Sequence, residues 1–578
     1  MRLTKTTLFV LLLVLLAFFL RLFSAQEMEI GTDEMIYSVI PLNIISAGRL
    51  STVEQAPVYF YLVDIGYKLF GGMSLITSRL PSVVFGALAV IVIFLIALEL
   101  FANKKAALWS AFFSAISGYA IRWNQEMDTT AFFFALLSVY FFIRALKGNS
   151  KQLYLATIFL ALGVLVKPVV LLLVPAFALV YLMYGYTQQK GVLYKKENKL
   201  FLEKKGLTLI FSCILLSVIV VSPVLVYNVF VYKEKGFTDY YFSVFADVGN
   251  SPIYQGQEAE SWSSARLLGV GREVVRNLFH LDAPLLFLGL LGIFFGWRKE
   301  KYGTAFLLLS LIPLWAYIGG MMGGANHFVW IPFVLAIFSG YGVVKLGELF
   351  SQKFSFRYFI PVVILVALIS LFFVLQDISG RRDTSIAITL RDYARENFPD
   401  DAIVVLDPRI YRGIFAWAFP DKHYLEGTYF PELVNNIDQL PGGKISLPLY
   451  YVECGPGTNC GWKPEDFQRI YNTGEELSSF FRSNTEKIAE IKAIDTFIVY
   501  QGTLSAPLSI YEPIDRTHQF WYTPVGWKYS ETAIDTYTPR TLFDKLLNGF
   551  GFFILYADVL LALLSLLLVF FLLGRQSD

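Results

Sequence analysis

The sequence predicts a polytopic α-helical membrane protein with about twelve transmembrane helices and a C-terminal extracytoplasmic α/β domain. Hydrophobic types make up 56% of the 578 residues and charged types only 16%, whereas soluble domains have about 25% charged residues. Apolar runs of the length that a helix needs to cross a bilayer recur along the chain. Between the last two runs, residues 377–546 instead mix helical periodicity with short apolar strands.

Twelve apolar runs are predicted to span the membrane, the first of them as a retained signal-anchor helix without a small-residue cleavage motif. They cover residues 6–24, 79–101, 106–121, 129–146, 152–166, 168–185, 207–231, 284–297, 303–319, 327–344, 358–376 and 548–573. A thirteenth candidate, Pro57–Phe70, has 14 residues and contains Asp64 and Lys68. Fourteen helical residues reach only about 21 Å, less than the hydrocarbon core. We therefore expect this segment to lie at the membrane interface or to dip into it.

Basic residues give the orientation of the spans, because cytoplasmic loops carry an excess of lysine and arginine. With Arg2 and Lys5 in the cytoplasm and Pro57–Phe70 not counted, the segment 190–205, with six lysines and two glutamates, is cytoplasmic. The segment 232–283, with five basic and seven acidic residues, is then outside. The predicted units are a membrane module (1–376, outer loops 25–78 and 232–283), an extracytoplasmic domain (377–546), and a last span with a short cytoplasmic tail (547–578).

The extracytoplasmic domain is predicted to combine helices and strands. Residues 383–398 have helical periodicity, and residues 402–406 and 496–500 are short apolar strands. Cys454 and Cys460 flank a Gly/Pro turn, where either a short-loop disulfide or two free thiols fit the spacing. Cys213 lies in an apolar run and is expected to be buried packing.

Two carboxylate clusters lie at the outer ends of predicted spans, where charge is costly unless it is solvated, paired or functional. Asp33 and Glu34 follow the first span, and Glu126 and Asp128 open the fourth. Two acidic sites facing one cavity suit a reaction that needs a base for a hydroxyl or amine nucleophile. Taken singly, each aspartate is better explained as a helix N-cap in interfacial water, and the presence of both on one face weakens that explanation.

Basic residues at the same outer level could bind an anionic group, such as a phosphate. Lys167 lies between two apolar runs and is the best candidate, with Arg122 and His327 as further ones. The alternative is that each side chain snorkels to the interface, which is the favoured interpretation for Arg79.

Other classes of function lack support in the sequence. The net charge of +2 gives no bulk basic signal for nucleic acid. The chain has no P-loop and no HExxH motif, and its four histidines lack the spacing of zinc ligands.

Four segments resemble one known family, the GT-C membrane glycosyltransferases of the protein O-mannosyltransferase and lipid A aminoarabinose transferase type. The first is the Asp33-Glu34 pair followed by Tyr37. The others are APVYFYLVDIGYKLFGG (56–72) with the following SRLPSVVFGAL (78–88), NQEMDTTAFFFALLSVYFFIRALKG (124–148) and LGVLVKPVVLLLVPAFALVYL (162–182). The resemblance is good over residues 5–185 and weaker to residue 376.

The resemblance implies transfer of a sugar from a polyprenyl-phosphate donor to a protein, lipid or glycan acceptor on the extracytoplasmic face, with inversion at the anomeric carbon. Asp33 matches the family's first-loop acid, which acts on the acceptor, and Lys167 matches a basic position near the donor phosphate. Many relatives carry arginine where Asp128 stands, so Asp128 and Glu126 compete for the second acidic role. No cofactor is expected, although the outer acids could hold a divalent cation. A multi-pass protein of the plasma membrane is the favoured location.

Two alternatives belong to other classes of function. A flippase for lipid-linked sugars fits many spans with intramembrane charge, but transporters usually place ionisable residues near the midplane. A non-catalytic assembly subunit would use the soluble domain as a binding module. Radiolabelled transfer separates the three, because an enzyme transfers, a flippase only relocates and a scaffold does neither.

Overall fold

The structure is a computed structural model, in which most of the chain can be described. The described residues are 4–39, 41, 57–188, 193–196, 199–202, 204–236, 238, 242, 262–322, 324–351, 356–411, 414, 417–419, 422–439, 442–462, 464–507 and 539–576.

Eighteen helices in chain order, named α1 to α18 here, make up most of this part of the chain. They are α1 Lys5–Glu27, α2 Thr32–Val39, α3 Pro57–Phe70, α4 Leu75–Phe101, α5 Lys104–Ile116, α6 Gly118–Arg122, α7 Met127–Leu146, α8 Gln152–Val166, α9 Val174–Gln188, α10 Lys204–Lys235, α11 Ser264–Lys299, α12 Lys301–Leu314, α13 Trp330–Ser351, α14 Phe356–Ile378, α15 Ile386–Asn397, α16 Phe430–Asn436, α17 Pro464–Asn484 and α18 Leu542–Gln576. The 3₁₀ turns Pro168–Leu173 and Ala325–Phe328 precede α9 and α13, and the π-helical segment Trp315–Met322 continues α12.

The helices confirm a multi-pass α-helical membrane protein, and the predicted number of about twelve transmembrane helices is compatible with them. Among the described residues, nine helical segments are long and apolar enough to cross a bilayer, and Gln152–Val166 and Pro168–Tyr184 are shorter apolar helices. Caps fix where several of them begin. Ser74 and Thr77 form a reciprocal capping box at the start of α4, and Asn103 accepts hydrogen bonds from the first amides of α5.

The predicted span 106–121 is not one helix, because it breaks at Ser117 between α5 and α6. Side chains from two distant helices satisfy the backbone groups that the break leaves free. Arg21 donates to Ser114 O at 3.2 Å and to Ala115 O at 3.3 Å. The Asp282 carboxylate accepts from Ser117 Oγ and from the amides of Gly118 and Tyr119, all at 2.8 Å. A break inside a membrane needs such partners, since lipid provides none.

The predicted outer loop 232–283 is helical at its C-terminal end, and the predicted span 284–297 is only the second half of α11. Asp282 has non-helical dihedrals (φ −141°, ψ 33°) and Pro284 follows it, so α11 kinks there. A proline inside a helix removes one backbone hydrogen bond and clashes with the preceding turn.

Helix α3 is packed inside the bundle. Ten of its residues, including Asp64, are buried, and it lies against α4, α8 and α18. Lys68 Nζ pairs with Asp64 Oδ2 at 3.0 Å. Contacts within the protein therefore accommodate the polar residues of α3.

Close backbone contacts hold α5, α11 and α13 together at the centre. A Cβ at Gly292 would lie 1.9 Å from Phe338 O, and one at Gly340 would lie 2.0 Å from Ala106 O. Small residues of this kind let membrane helices approach closely, where dispersion rather than the hydrophobic effect drives packing.

The described residues also contain seven strands, β1 to β7. They are β1 Leu193–Lys196, β2 Lys199–Leu202, β3 Ile403–Leu406, β4 His423–Glu426, β5 Lys444–Cys454, β6 Glu486–Lys492 and β7 Thr496–Pro507. The first two form an antiparallel pair between α9 and α10. The others form a mixed sheet in the order β4-β3-β5-β7-β6, in which β3 is parallel to β4 and β5 and β7 is antiparallel to β5 and β6. The predicted strands 402–406 and 496–500 are thus β3 and the start of β7.

A contact of α15 joins the C-terminal domain to the membrane module. Arg391 donates to Met73 O at 2.8 Å and lies 4.3 Å over the ring of Trp417. Cys454 and Cys460 form a disulfide, with their Cα atoms 6.0 Å apart. Of the two arrangements that the sequence left open, the structure has the bonded one.

Candidate active site

Four side chains from three parts of the chain meet in one buried cluster, called here the charged cluster: Glu126, Asp128, Lys167 and His327. Lys167 Nζ donates to Asp128 Oδ2 at 2.5 Å. His327 Nδ1 lies 3.2 Å from both Lys167 Nζ and Asp128 Oδ2. Asp128 is fully buried and Lys167 nearly so. Two opposite charges removed from solvent in this way attract each other more strongly than a surface pair.

Lys167 reaches the cluster because the helix stops at this residue. The backbone of Lys167 is extended (φ −153°, ψ 122°), and its amide closes α8 on Gly163 O at 2.8 Å. The next residue is Pro168, and a residue before proline is disfavoured in the helical region. The break turns the side chain toward the first turn of α7, where Asp128 lies.

Glu126 extends the cluster on one side. Both of its carboxylate oxygens accept from Asn326 Nδ2, at 2.6 and 2.7 Å, and its Oε2 lies 3.7 Å from His327 Nδ1. Burial raises the pKa of the Glu126 carboxyl to about 7, against the opposing effect of His327. This carboxyl therefore changes charge near neutral pH, in contact with groups suited to bind an anion.

Asp33 lies in the first turn of α2, exposed to solvent. It is close enough to Glu126 and Lys167 to interact electrostatically with both. Asp33 is thus within electrostatic range of the charged cluster, and its side chain is exposed to solvent.

Glu34 and Arg79 form a separate ion pair. Arg79 Nη2 donates to Glu34 Oε2 at 2.8 Å, and Arg79 Nε also donates to this carboxylate. Arg79 further donates to Ala25 O at 2.7 Å and to Met28 O at 3.0 Å. The interpretation of Arg79 as a snorkelling side chain is wrong, because Arg79 is fully buried and fastens the end of α1 to α4. This contact gives Glu34 a structural partner.

Arg122 has its partner elsewhere. Its Nη1 lies 2.8 Å from Asp377 Oδ2, and its guanidinium lies 5.2 Å from the ring of Trp123. Arg122 thus joins the end of α6 to the end of α14, and these contacts of Arg122, predicted as a phosphate ligand, lie outside the charged cluster.

Three residues of the cluster could in principle hold a metal ion. Glu126, Asp128 and His327 each offer one ligand atom, and these atoms lie within 4.8 Å of one another. Carboxylate and imidazole ligands are common for divalent metals. Lys167 Nζ, however, already lies 2.5 Å from Asp128 Oδ2 and neutralises it. A cation bound to Asp128 would have to compete with this ammonium group.

Sequence reasoning did not single out Asn326, the hydrogen-bond partner of Glu126. The signal available was its position next to His327, in an Asn-His pair at the outer end of a span. It also gave no role to Gln125, which is buried beside Glu126.

One known protein family has a sequence model that matches part of the chain. The sequence model of the family described as "Dolichyl-phosphate-mannose-protein mannosyltransferase" matches residues 54–227, a segment that includes Glu126, Asp128 and Lys167. No curated protein sequence matches the chain.

Two solved structures of ArnT from Cupriavidus metallidurans share the architecture over nearly their whole length. The form bound to undecaprenyl phosphate has a TM-score of 0.55 at 11% identity, covering 86% of this chain and 97% of that one. The apo form has a TM-score of 0.56 at 11% identity, covering 86% and 98%. The chain has the GT-C fold. The resemblance seen in the sequence is confirmed at the level of the fold, and the matched family model overlaps three of the four segments that carry it.

The GT-C likeness to a more distant structure is weaker. The oligosaccharyltransferase of Archaeoglobus fulgidus, tethered with an acceptor peptide, has a TM-score of 0.47 at 13% identity, covering 91% of this chain and 77% of that one. This value is too low to support an argument about the site.

Proposed function

We propose that this protein transfers a sugar from a polyprenyl-phosphate donor to a hydroxyl or amine of an acceptor at the outer face of the plasma membrane, with inversion. The observation that carries the proposal is the charged cluster, in which two basic side chains meet two carboxylates where membrane helices end. The matched family's description names a dolichyl-phosphate sugar, and one ArnT structure holds undecaprenyl phosphate. A lipid-linked phosphate would reach this depth with its tail in the bilayer.

Lys167 and His327 are the proposed phosphate ligands. The Asp128 carboxylate holds Lys167 Nζ at 2.5 Å, so the ammonium is fixed before the donor arrives. As the bond between the anomeric carbon and the phosphate oxygen breaks, that oxygen keeps the electron pair. The two basic groups stabilise the growing negative charge, and preorganised groups of this kind supply much of catalysis.

Asp33 is the proposed base. Its exposed carboxylate can meet an acceptor from solution and accept the proton of the attacking group. The new bond from the acceptor to the anomeric carbon forms on the face opposite the phosphate, which gives inversion. The reaction needs no nucleotide, because the sugar–phosphate bond supplies the driving force.

The test uses purified protein in liposomes with radiolabelled polyprenyl-phosphate sugars and a panel of acceptors. We expect wild-type protein to transfer label and Asp33→Asn to lose about 10²-fold or more, the usual contribution of a positioned base. Asp392→Asn is the matched control. Asp392 is an exposed aspartate on α15, and its ion pair with Arg382, at 3.7 Å, lies on the surface of the C-terminal domain. If the protein relocates the lipid without transferring the sugar, it is a flippase. If it does neither, it is an assembly subunit. Near-normal turnover by Asp33→Asn would remove Asp33 from the mechanism.

A further inference from the structure

The first half of α11, before its kink, presents a face of exposed side chains, called here the α11 stripe: Leu268, Arg272, Val275, Arg276 and Phe279. Four of them follow one another at spacings of four, three and four residues, and Arg276 lies one turn after Arg272. All five therefore lie on the same side of the helix. Each of the three apolar side chains is more than half exposed. A surface that combines exposed apolar groups with two positive charges suits a partner that has both an apolar and an anionic part.

The opposite face of this half of α11 is packed against the protein. Val274 and Leu278 are buried there. The segment Trp315–Met322 and the turn Ala325–Phe328 lie against α11, and the amide of Ser263, which caps the helix, donates to Gly320 O at 3.0 Å. The α11 stripe is therefore the outward side of a helix whose position is fixed by the membrane module.

The two arginines of the stripe have no partner in the part of the chain that the structure describes. Arg272 and Arg276 are exposed, and neither makes a hydrogen bond or an ion pair there. Arg266 of the same helix, by contrast, donates to Met321 O at 2.5 Å. The adjacent Glu273 lies outside the stripe and interacts electrostatically with a residue of α6. Two unpaired guanidinium groups one turn apart suit a phosphate, which arginine binds through paired hydrogen bonds.

The positions of these arginines along α11 match the thickness of a bilayer. The helix ends at Arg298 and Lys299, on the side that the positive-inside rule makes cytoplasmic. At 1.5 Å per residue, Arg276 lies about 35 Å and Arg272 about 40 Å from Lys299 along the helix. A bilayer is about 30 Å thick across its hydrocarbon core and about 40–45 Å with its headgroups. With the basic end of α11 at the cytoplasmic headgroups, the arginines of the stripe lie at the level of the outer ones.

The apolar part of the stripe continues the surface by which α11 faces lipid. On the cytoplasmic side of the kink, Phe287, Leu290 and Phe294 are each more than half exposed, as expected for side chains of a spanning helix that contact acyl chains. Leu268, two arginines away from the kink, extends this exposed surface into the outer leaflet. The continuity favours a membrane lipid over a soluble protein as the occupant of the stripe.

We propose that the α11 stripe binds an anionic phospholipid of the outer leaflet. Arg272 and Arg276 contact its phosphate, and the three apolar side chains pack against the upper part of its acyl chains. Basic residues beside an apolar stripe are the usual means by which a helix binds such a lipid at the interface. The turn Ala325–Phe328, which carries His327, packs against α11, so this lipid lies near the candidate active site. The inference does not depend on the proposed function.

The experiment measures which lipid lies next to the stripe in a membrane. Full-length protein with Val275→Cys in a Cys213→Ser background is labelled with a fluorophore and reconstituted in phosphatidylcholine liposomes. A small fraction of the lipid is either brominated phosphatidylglycerol or brominated phosphatidylcholine, and the quenching of the label by each is compared. We expect phosphatidylglycerol to be enriched beside the label by about fivefold for each arginine, the usual effect of one basic residue near the surface. The double variant Arg272→Gln/Arg276→Gln should show equal quenching by the two lipids.

Arg395→Gln, with the same label, is the matched control. Arg395 is also an exposed arginine, but it lies on α15 of the C-terminal domain, and its replacement should leave the preference for phosphatidylglycerol unchanged. Equal quenching by the two lipids in the protein with both stripe arginines would overturn the inference, as would a preference that survives in the double variant. Absence of quenching by either lipid would overturn it as well, because another protein surface would then cover the stripe.

Discussion

The ion pair between Asp128 and Lys167 allows a test that separates folding from catalysis. Its charged atoms lie 2.5 Å apart, and the side chains of Lys167 and Asp128 are 6% and 0% exposed. Removing one partner of a buried pair leaves an uncompensated charge and costs about 3–5 kcal/mol, whereas replacing both partners by neutral groups is often tolerated. We therefore expect Asp128→Asn and Lys167→Met each to lower the free energy of unfolding by about this amount.

The double variant should recover most of the lost stability, because neither charge then remains buried without its partner. It should still not transfer sugar, because the proposed phosphate ligand is gone. Unfolding free energies are measured by SDS titration of the purified protein, and transfer is measured in liposomes. The control is the pair Lys345 and Glu348, 2.6 Å apart but partly exposed, for which the same double replacement should change stability by less than about 1 kcal/mol. A stable double variant that transfers sugar at the wild-type rate would refute the assignment of Lys167 to the donor phosphate.

Two further predictions follow from neighbouring residues. Glu126 gains its negative charge as pH rises through its pKa of about 7. Because this charge repels the donor phosphate, the KM for the donor should rise from pH 6 to pH 8 in wild-type protein. In Glu126→Gln the KM should stay constant, and a KM profile that matches wild type would contradict the role given to this carboxyl. A Cβ at Gly86 would lie 2.4 Å from Asn124 Oδ1 and 2.9 Å from Arg21 Nε, so Gly86→Ala should destabilise the protein by about 1–3 kcal/mol, as overpacking does. The free energy of unfolding of this variant is measured by SDS titration. Gly269→Ala is the control, because a Cβ at Gly269 meets nothing within 4 Å. Equal stability of the two variants would show that the packing around Gly86 adjusts to the extra methyl group.

The prediction of one continuous helix failed where residues distant in sequence stabilise a break in the helix. The predicted span 106–121 contains no proline, and its break at Ser117 depends on Arg21 and Asp282. Asp282 is 165 residues from Ser117 in sequence. Hydropathy reports whether a segment prefers lipid, but it carries no information about which distant side chain satisfies a backbone group inside the bundle.

In the candidate site, too, the sequence pointed to individual charged residues but not to their distant partners. Asp33, Asp128 and Lys167 were conspicuous in the sequence because a charge at the end of an apolar run is costly wherever the run packs. The partners of Glu34 and Arg122 were not visible there. Arg79 lies 45 residues from Glu34, and Asp377 belongs to a helix at the far end of the membrane module.

The sequence by itself determined that the chain crosses a membrane many times, carries a mixed helix-and-strand domain before its last span, and resembles the GT-C glycosyltransferases. These features depend on local runs of apolar residues and on short motifs, which act over one helix length. Only the tertiary structure decided that Lys167 meets Asp128 and His327 and that Asn326 holds Glu126. Such contacts join residues up to 200 positions apart, and they exist only because helix packing brings those ends of the chain together.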